Sequence, residues 1–294
     1  MAPNPEDFLK AVKDALHEKL FRSSVPIVID DQQTAGVEAT GVLFRAAERH
    51  FLLSASHVLQ QIPKNAARLG VALADDLFMP LAAGRATWAS DDDRYDVGAV
   101  LLTEPAVAAF KASGFRFLDV TDVHGVDPQE PPDGGYVVFG YPTSATTSTS
   151  DGAILPVPHY LSSIVYRGDT SALSSTYDPE VHVLLHFDRS SVRNTEDTGE
   201  LATAPDPHGV SGGSVWWAYA PSDVGGWRPE FAKLVGLQSS YFRSSGLLKF
   251  TPWQFIEWLL AREYPDIAPA LRLRGAGRSA VLLPDRERAG ETRP

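Results

Sequence analysis

From Ser23 onward the chain is a succession of short apolar stretches separated by glycine, proline, aspartate and serine, and this spacing constrains the fold more than any other feature. Such stretches are typical of the strands of a β-barrel or β-sandwich. Helices do not alternate with them, which disfavours a doubly wound α/β sheet and favours consecutive β units. The predicted strands are Val25–Ile29, Gly41–Arg45, His50–Ala55, Gly70–Leu73, Arg85–Ala89 and Asp96–Leu102 in the first unit, and Gly135–Phe139, Ala153–Tyr166, Val181–Phe187, Ser214–Tyr219, Lys233–Tyr241 and Leu247–Phe250 in the second.

The sequence therefore predicts an all-β fold of two consecutive six-stranded β-barrels with a helix at each end. At the N-terminus, Asn4 is a candidate N-cap, Pro5 stands at the first helical position, and apolar residues recur on one stripe. Glycine, proline and arginine are interspersed near the C-terminus, which predicts a mobile tail. The predicted segments are the N-terminal helix 1–22, the first barrel 23–104, a connection 105–134, the second barrel 135–251, the C-terminal helix 252–263 and the tail 264–294.

Composition excludes several classes of function. The 294 residues include 26 Lys plus Arg against 37 Asp plus Glu, and the net charge of −11 disfavours a nucleic-acid partner. The chain has no Cys, which excludes disulfides, thiolate nucleophiles and Cys-ligated metals and is consistent with a cytoplasmic location. Its apolar runs fall short of the roughly 20 residues of a membrane-spanning helix, and charges interrupt the N-terminus where a secretion signal needs an apolar core. We expect no membrane partner and no cofactor.

Three short segments carry groups suited to catalysis. His57 ends an apolar strand in Ser54-Ala55-Ser56-His57, although a histidine satisfied at a strand end fits the same pattern. Asp96 opens an otherwise apolar strand and needs a partner, because an unpaired buried carboxylate is costly. Ser211 stands in Gly209-Val210-Ser211-Gly212-Gly213, where glycines let the backbone fold tightly and turn successive amides inward. A plain glycine-rich turn also fits this last string.

The order of these residues along the chain decides between two enzyme classes. The Ser211 string matches the GxSxG elbow of α/β-hydrolases, but those enzymes place the base histidine after the serine, and none of the eight histidines lies downstream of Ser211. The surviving order is His57, Asp96, Ser211. In this order the sequence resembles the trypsin-like (chymotrypsin-fold) serine peptidases in their cysteine-free bacterial form. The resemblance spans roughly residues 25–260 and also rests on Leu234-Val235-Gly236-Leu237.

The resemblance implies two six-stranded barrels with the catalytic residues in the cleft between them. It assigns Ser211 as nucleophile, His57 as general base and Asp96 as the residue that orients His57. The amides of Gly209 and Ser211 would form the oxyanion hole, and the stretch 238–241 would pair with the substrate main chain. Ser239 occupies the place of a serine that supports the aspartate in the family. The residues assigned to substrate binding are Asp206, His208, Gln238, Ser239, Ser240 and Tyr241.

The side-chain pocket would have its floor at residues 205–208 and its wall at residues 239–241. We hypothesise that Asp206 attracts a lysine or arginine just before the scissile bond, although a solvated loop acid fits the same pattern. Tyr241 stands where the family commonly has glycine, and it would narrow the pocket. A metal site is not predicted, because His182 and His186 lie in a strand, where four residues span roughly 13 Å, and the HExxH glutamate is missing.

One departure from the secreted digestive members of the family bears on regulation. Val210 stands where those enzymes have an acid that pairs with a newly freed N-terminus, and an activation cleavage site does not precede Val25. The sequence therefore predicts a serine endopeptidase that performs limited proteolysis of a specific intracellular protein, of which an effector activated by cleavage would be an example. The alternative is a catalytically inactive or latent protein-binding module with the same fold.

Overall fold

The computed structural model describes residues 5–30, 35–65, 68–73, 78–88, 94–148, 154–173, 176–187, 189, 192–193, 201–202, 204–219 and 227–271. Two antiparallel β-sheets, one from each half of the chain, account for most of this structure, and short helices lie around them.

The N-terminal half forms a seven-stranded sheet in the order β5-β4-β1-β2-β3-β7-β6. The central pair, β1 and β2, runs from Ser24 opposite Val42 to Asp30 opposite Ala35, with a register shift between Ile27 and Val28. The strands are β1 (Ser24–Asp30), β2 (Ala35–Ala46), β3 (Arg49–Ser54), β4 (Leu69–Ala72), β5 (Phe78–Pro80), β6 (Arg85–Trp88) and β7 (Gly98–Leu101). A single helical turn, α2 (Ser56–Leu59), follows β3.

The C-terminal half forms a six-stranded sheet in the order β11-β8-β15-β16-β17-β12. Its register shifts twice around β16, between Val215 and Trp216 on β15 and between Gln238 and Ser240 on β16 itself. The strands are β8 (Gly135–Gly140), β11 (His159–Ser163), β12 (Val183–His186), β15 (Ser214–Tyr219), β16 (Lys233–Phe242) and β17 (Leu247–Pro252). Two small hairpins complete the set, β9 (Thr147–Ser148) with β10 (Ile154–Leu155), and β13 (Val192–Arg193) with β14 (Leu201–Ala202).

Alternate residues of a strand point to opposite sides of a sheet, and in the first sheet the residues on both sides are buried. On β2, Leu43 joins an apolar cluster inside the first unit, whereas Val42 and Phe44 join a second cluster that lies between the two sheets and the helices. A third cluster fills the second unit, and we call it the second-unit core; its buried members include Val138, Val210, Val215 and Leu248. The middle cluster joins both units and therefore fixes the two sheets against each other.

Helices cover the outside of this middle cluster. They are α1 (Pro5–Ser23), α4 (Trp253–Glu263) and α5 (Ala268–Leu271). Helix α3 (Glu104–Ala112) packs instead on the cluster inside the first unit, where Val107 and Phe110 are buried. Leu16 and Leu20 of α1 are buried in the cluster, and the Lys19 ammonium lies 4.9 Å from the centre of the Trp216 ring on β15. Of the helices in the described ranges, none combines the length and the apolar character that crossing a bilayer requires.

The expected all-β class, two consecutive barrel-like units with flanking helices, is confirmed, and the second sheet has the expected six strands. The first sheet has seven strands, one more than expected. The additional strand is β5, whose three residues carry no alternating pattern, and its Pro80 is tolerated because β5 lies at the sheet edge. Pro156 and Pro158 divide the single strand expected over 153–166 into β10 and β11.

The two ends of the chain give different outcomes. The expected mobile tail begins too early at 264, since Tyr264, Ile267 and Leu271 are buried in the middle cluster. Residues 272–294 and the candidate N-cap Asn4 lie outside the described residues.

Candidate active site

His57 lies on the turn that follows a buried strand. β3 is buried over its last four residues, Ala55 continues in extended conformation, and α2 begins at Ser56. The side chain of His57 is 41% exposed, so that one edge of the imidazole is accessible to a ligand while the other faces the protein.

Asp96 is the partner of the buried edge of His57. One carboxylate oxygen, Oδ1, lies 2.9 Å from His57 Nδ1 and the other, Oδ2, lies 3.0 Å from it. The backbone amide of His57 donates to Oδ1 over 3.2 Å. Asp96 is 6% exposed and has a φ of 45°, a left-handed conformation that is uncommon for any residue but glycine. Such a conformation persists only where surrounding contacts hold it, and it concentrates at functional sites.

A third donor to this carboxylate comes from Ser56, whose hydroxyl lies 3.0 Å from Asp96 Oδ1. The sequence assigned the support of Asp96 to Ser239 instead. The Ser239 hydroxyl donates to the Lys249 carbonyl oxygen over 3.5 Å, within the β16–β17 pair. The serine that bonds to the aspartate is therefore the residue immediately before His57, which the sequence analysis had not selected.

Ser211 stands in a tight loop whose shape depends on two glycines. Gly209 and Gly212 have φ angles of 90° and 83°, which a residue with a Cβ adopts only under strain. The Val210 amide donates to the Pro207 carbonyl over 3.0 Å, and the Gly213 amide donates to the Val210 carbonyl over 2.6 Å.

Two backbone amides of this loop are unpaired within the described residues. The amides of Gly209 and Ser211 donate to no acceptor there. Buried or partly buried backbone N–H groups are nearly always paired, so two unpaired amides on either side of Val210 are available to a ligand oxygen.

Thr40 of the first unit holds this loop against the end of β3. Its amide donates to the Ser211 carbonyl over 2.9 Å, and its hydroxyl donates to the Gly209 carbonyl over 3.0 Å. The Ser54 hydroxyl donates to the Thr40 carbonyl over 2.8 Å. A Cβ built on Gly212 would lie 2.1 Å from Ser54 Oγ and 3.0 Å from the Ala55 amide nitrogen. The serine loop of one unit thus contacts the residues that directly precede His57 in the other unit, and sequence reasoning missed Thr40.

β16 presents one open edge beside the serine loop. Its ladder with β15 ends where Leu237 faces Ser214, and the Gly212 amide and Gly213 carbonyl then bond to Gln238, over 2.7 and 2.8 Å. Beyond this point, from residue 239 to 242, β16 pairs within the described residues only with β17. An open strand edge is a template for an added strand. Gln238 is 1% exposed and Ser239 is 2% exposed, so their side chains are buried, and an added strand could pair here only with their main chain.

Of the remaining residues assigned to substrate binding, Asp206 and His208 lie together, whereas Ser240 and Tyr241 lie on β16 opposite β17. The Asp206 carboxylate forms an ion pair with Arg243 and lies 3.6 Å from Arg189, and it accepts the His208 amide over 3.1 Å. A carboxylate whose charge is outweighed by two guanidinium groups does not attract a third cation, which weighs against the hypothesis that Asp206 selects lysine or arginine. Tyr241 packs edge-on against Phe187, with ring centres 5.5 Å apart.

The histidines at 182 and 186 lie in different surroundings. His182 is 1% exposed whereas His186 is exposed, and no group of three or more potential metal ligands occurs among the described residues. Burial, together with the nearby Lys249 ammonium, lowers the pKa of His182 to about 3. The ring accepts the Asp178 amide at Nδ1 over 3.0 Å. His182 is thus a neutral, buried residue of the second unit.

Comparison with known proteins gives a similarity of fold. Family models and curated proteins give no match to this chain. Three solved structures resemble it: an inactivated protease paralogue of the scabies mite (12% identity over 84% of this chain and 96% of the other, TM-score 0.49), the thermostable serine protease AL20 of an extremophilic microorganism (11%, 84% and 99%, TM-score 0.48), and the serine protease domain of the Sesbania mosaic virus polyprotein (14%, 82% and 91%, TM-score 0.41).

Proposed function

We propose that this protein is a serine endopeptidase that cleaves peptide bonds through an acyl-enzyme, with Ser211, His57 and Asp96 as its catalytic triad. One observation carries the proposal: the Asp96 carboxylate bonds to His57 Nδ1, and the Ser211 loop is hydrogen-bonded through Thr40 to the same strand end that carries His57. These contacts support a triad assembled from the two units, with the residue types that acyl transfer requires.

In this mechanism Asp96 fixes the tautomer of His57. A carboxylate at Nδ1 favours a proton on that nitrogen and leaves the lone pair on Nε2, which acts as the general base. His57 takes the Ser211 hydroxyl proton while Oγ bonds to the substrate carbonyl carbon, and the carbonyl becomes a tetrahedral oxyanion. The amides of Gly209 and Ser211 donate to that oxyanion, and a single donor of this kind is typically worth roughly 3–4 kcal/mol in the transition state.

The intermediate collapses when the C–N bond breaks and His57 gives its proton to the leaving amine. Water then attacks the acyl-enzyme with His57 again acting as base, and the carboxylic acid product leaves Ser211 with its proton restored. Each proton that His57 accepts is returned in the next step, so the reaction needs no cofactor.

The open edge of β16 supports an extended peptide as the substrate. A strand added along residues 239–242 would lie next to the Ser211 loop, since the loop bonds to Gln238 at the start of that edge. A peptidase whose site needs no activating cleavage must be selective in what it cuts. We therefore propose limited proteolysis of a specific intracellular protein as its task.

Labelling with a fluorophosphonate tests the proposal directly. This reagent bonds covalently to a serine only when a base removes the hydroxyl proton, so we expect wild-type protein to be labelled at Ser211. Ser211→Ala should abolish labelling and Asp96→Asn should slow it by about 10³-fold or more, because the wrong imidazole tautomer is favoured. The matched control is Ser245→Ala, which removes an exposed hydroxyl in the turn after β16 and should label like wild type.

Folded wild-type protein that is not labelled would contradict the enzyme and favour the binding module instead. Mass spectrometry of the labelled peptide is part of the test, since modification at another serine would also contradict the assignment. Comparison of protein N-termini in cells carrying wild type or Ser211→Ala would then identify the natural substrate.

A further inference from the structure

An arginine pair lies at the end of the open edge of β16. Arg243 follows Phe242, the last residue of the strand, and Arg189 approaches from the segment after β12, where its Nε donates to the Ala204 carbonyl over 3.0 Å. Both guanidinium groups converge on Asp206, five positions before Ser211. We call Arg189, Asp206 and Arg243 the arginine rim.

The charges of the arginine rim do not cancel. Two guanidinium groups face one carboxylate, which leaves one positive charge among these described side chains. The Arg243 side chain is 75% exposed and that of Arg189 is 33% exposed, while that of Asp206 is only 23% exposed. Arg243 thus faces solvent, whereas Arg189 and the acid are largely covered, so a bound peptide would meet the Arg243 guanidinium group first. Guanidinium groups bind carboxylates in a fixed bidentate geometry, which suits the side chains of Asp and Glu.

We propose that the arginine rim selects peptides with an acidic side chain in the segment that lies along residues 239–242. The inference rests on the proposed function for the location of the bound peptide. It reverses the sign of the preference that the sequence suggested from Asp206 alone, since that residue serves here to hold and partly neutralise the two arginines.

Peptide binding to Ser211→Ala protein tests this preference without any chemistry. The probes are fluorescein-labelled octapeptides of alanine, glycine and serine with a single Glu, Gln or Lys at successive positions, read by fluorescence anisotropy. At one or two adjacent positions, the Glu peptide should bind about three- to tenfold more tightly than the Lys peptide, the range expected of a partly exposed charge pair. The difference should narrow when NaCl is raised from about 0.05 to 0.5 M, because salt screens exposed charges.

Three further substitutions in the Ser211→Ala background separate the charges. Arg243→Gln should remove most of the Glu preference, and Asp206→Asn should increase it, since the competing carboxylate is gone. The matched control is Arg116→Gln, which changes an arginine that is 57% exposed and lines a groove together with Lys233, at the opposite end of β16. The ten residues of β16 separate Arg116 from the arginine rim by roughly 30 Å, so Arg116→Gln should keep the preference for Glu peptides.

Equal binding of Glu and Lys peptides, or no binding of any peptide, would overturn the inference. Tighter binding of Lys peptides that is lost in Asp206→Asn would overturn it too, and would restore Asp206 as a receptor for basic residues. These failures differ from that of the proposed function, which is judged by Ser211 labelling of wild-type protein. A labelled enzyme without charge preference loses only this inference, and an unlabelled protein that prefers Glu peptides loses only the catalytic role.

Discussion

Ser56 and His57 are neighbours in sequence, and both bond to the same carboxylate oxygen. Asp96 is held in its left-handed conformation by donors that all come from the start of α2. Hydrogen bonds to a charged acceptor contribute about 1.5–3 kcal/mol each, enough to offset the conformational cost of a single residue with positive φ. The orientation of His57 therefore depends on a positioning residue beside it as well as on Asp96.

We predict that Ser56→Ala slows fluorophosphonate labelling by about three- to tenfold, because Asp96 loses one of the donors that fix it. Ser56→Thr, which keeps the hydroxyl, should restore most of the rate. Ser239→Ala should have a smaller effect than Ser56→Ala, since the Ser239 hydroxyl bonds to Lys249 and not to Asp96. The measurement is the second-order labelling rate, with thermal unfolding to check each fold. A larger effect of Ser239→Ala would contradict the assignment of Ser56.

At this scale the sequence predicted residue types better than contacts. His57, Asp96 and Ser211 could be selected because each stands in a local string suited to its chemistry, and their order excluded the elbow enzymes. The contacts that hold them join Thr40 to Gly209 and Ser56 to Asp96, over 169 and 40 positions of sequence. A local pattern contains no information about such partners, and the assignment of the triad itself stays a prediction until Ser211 is labelled.

Among the elements, the segment that leads into β12 contains a buried histidine, His182, whose pKa is strongly lowered. His182 is buried beside Lys249, and its ring nitrogen Nε2 has no hydrogen-bond partner within the described residues. Arg94, two residues before Asp96, bonds to Asp178 over 2.9 Å, and the Asp178 amide donates to His182. This segment thus connects the second unit to the chain that carries Asp96.

We predict that acid destabilises the protein partly through His182. Its pKa is about 3 in the folded state and near 6.5 when unfolded, so the unfolded chain binds the proton first as pH falls below 6.5. The stabilisation is complete above pH 6.5, and each pH unit below that costs about 1.4 kcal/mol, or roughly 2 kcal/mol at pH 5. His182→Asn, which can still accept the Asp178 amide, should remove this dependence.

Urea unfolding at pH 7.5 and pH 5.0 measures this pH dependence of the free energy of unfolding. The control is His186→Asn, an exposed position on β12, which should keep the wild-type pH dependence. Equal pH dependence of wild type and His182→Asn would contradict the prediction.

The strands themselves were predictable where alternation or buried runs were long enough, as for β15, whose bounds agree with the sequence prediction at both ends. β5 was missed because three residues are too few to establish a period. The long strand expected over 153–166 shows the opposite error, since β-branched and aromatic residues outweighed two prolines that remove ladder donors.

For the whole molecule, Thr40 is one of the residues that join the two units through hydrogen bonds. It is fully buried, and its hydroxyl donates to Gly209 while accepting the Tyr141 amide over 3.0 Å. A buried polar group left without its partner costs about 1–3 kcal/mol. The two units are therefore held together by polar contacts in addition to the apolar cluster between the sheets.

We predict that Thr40→Val lowers the free energy of unfolding by roughly 2–4 kcal/mol, since the Gly209 carbonyl and the Tyr141 amide both lose their partner. Labelling of the folded fraction should also slow, because the Ser211 loop loses an anchor. Thr146→Val is the control: its hydroxyl lies 3.5 Å from the Pro142 carbonyl within one unit. Urea unfolding and labelling rates measure both effects. Unchanged stability and labelling in Thr40→Val would show that the apolar cluster alone positions the loop.

The apolar side chain of Val210 anchors the Ser211 loop in the second-unit core. The side chain is 1% exposed in the second-unit core, and Gly140 leaves room for it, since a Cβ there would lie 2.9 Å from Val210 Cγ1. Val210 has no charge with which to bind a liberated chain end or to respond to acid. We therefore expect control of the proposed activity to act on access to Ser211 and not on the charge of residue 210.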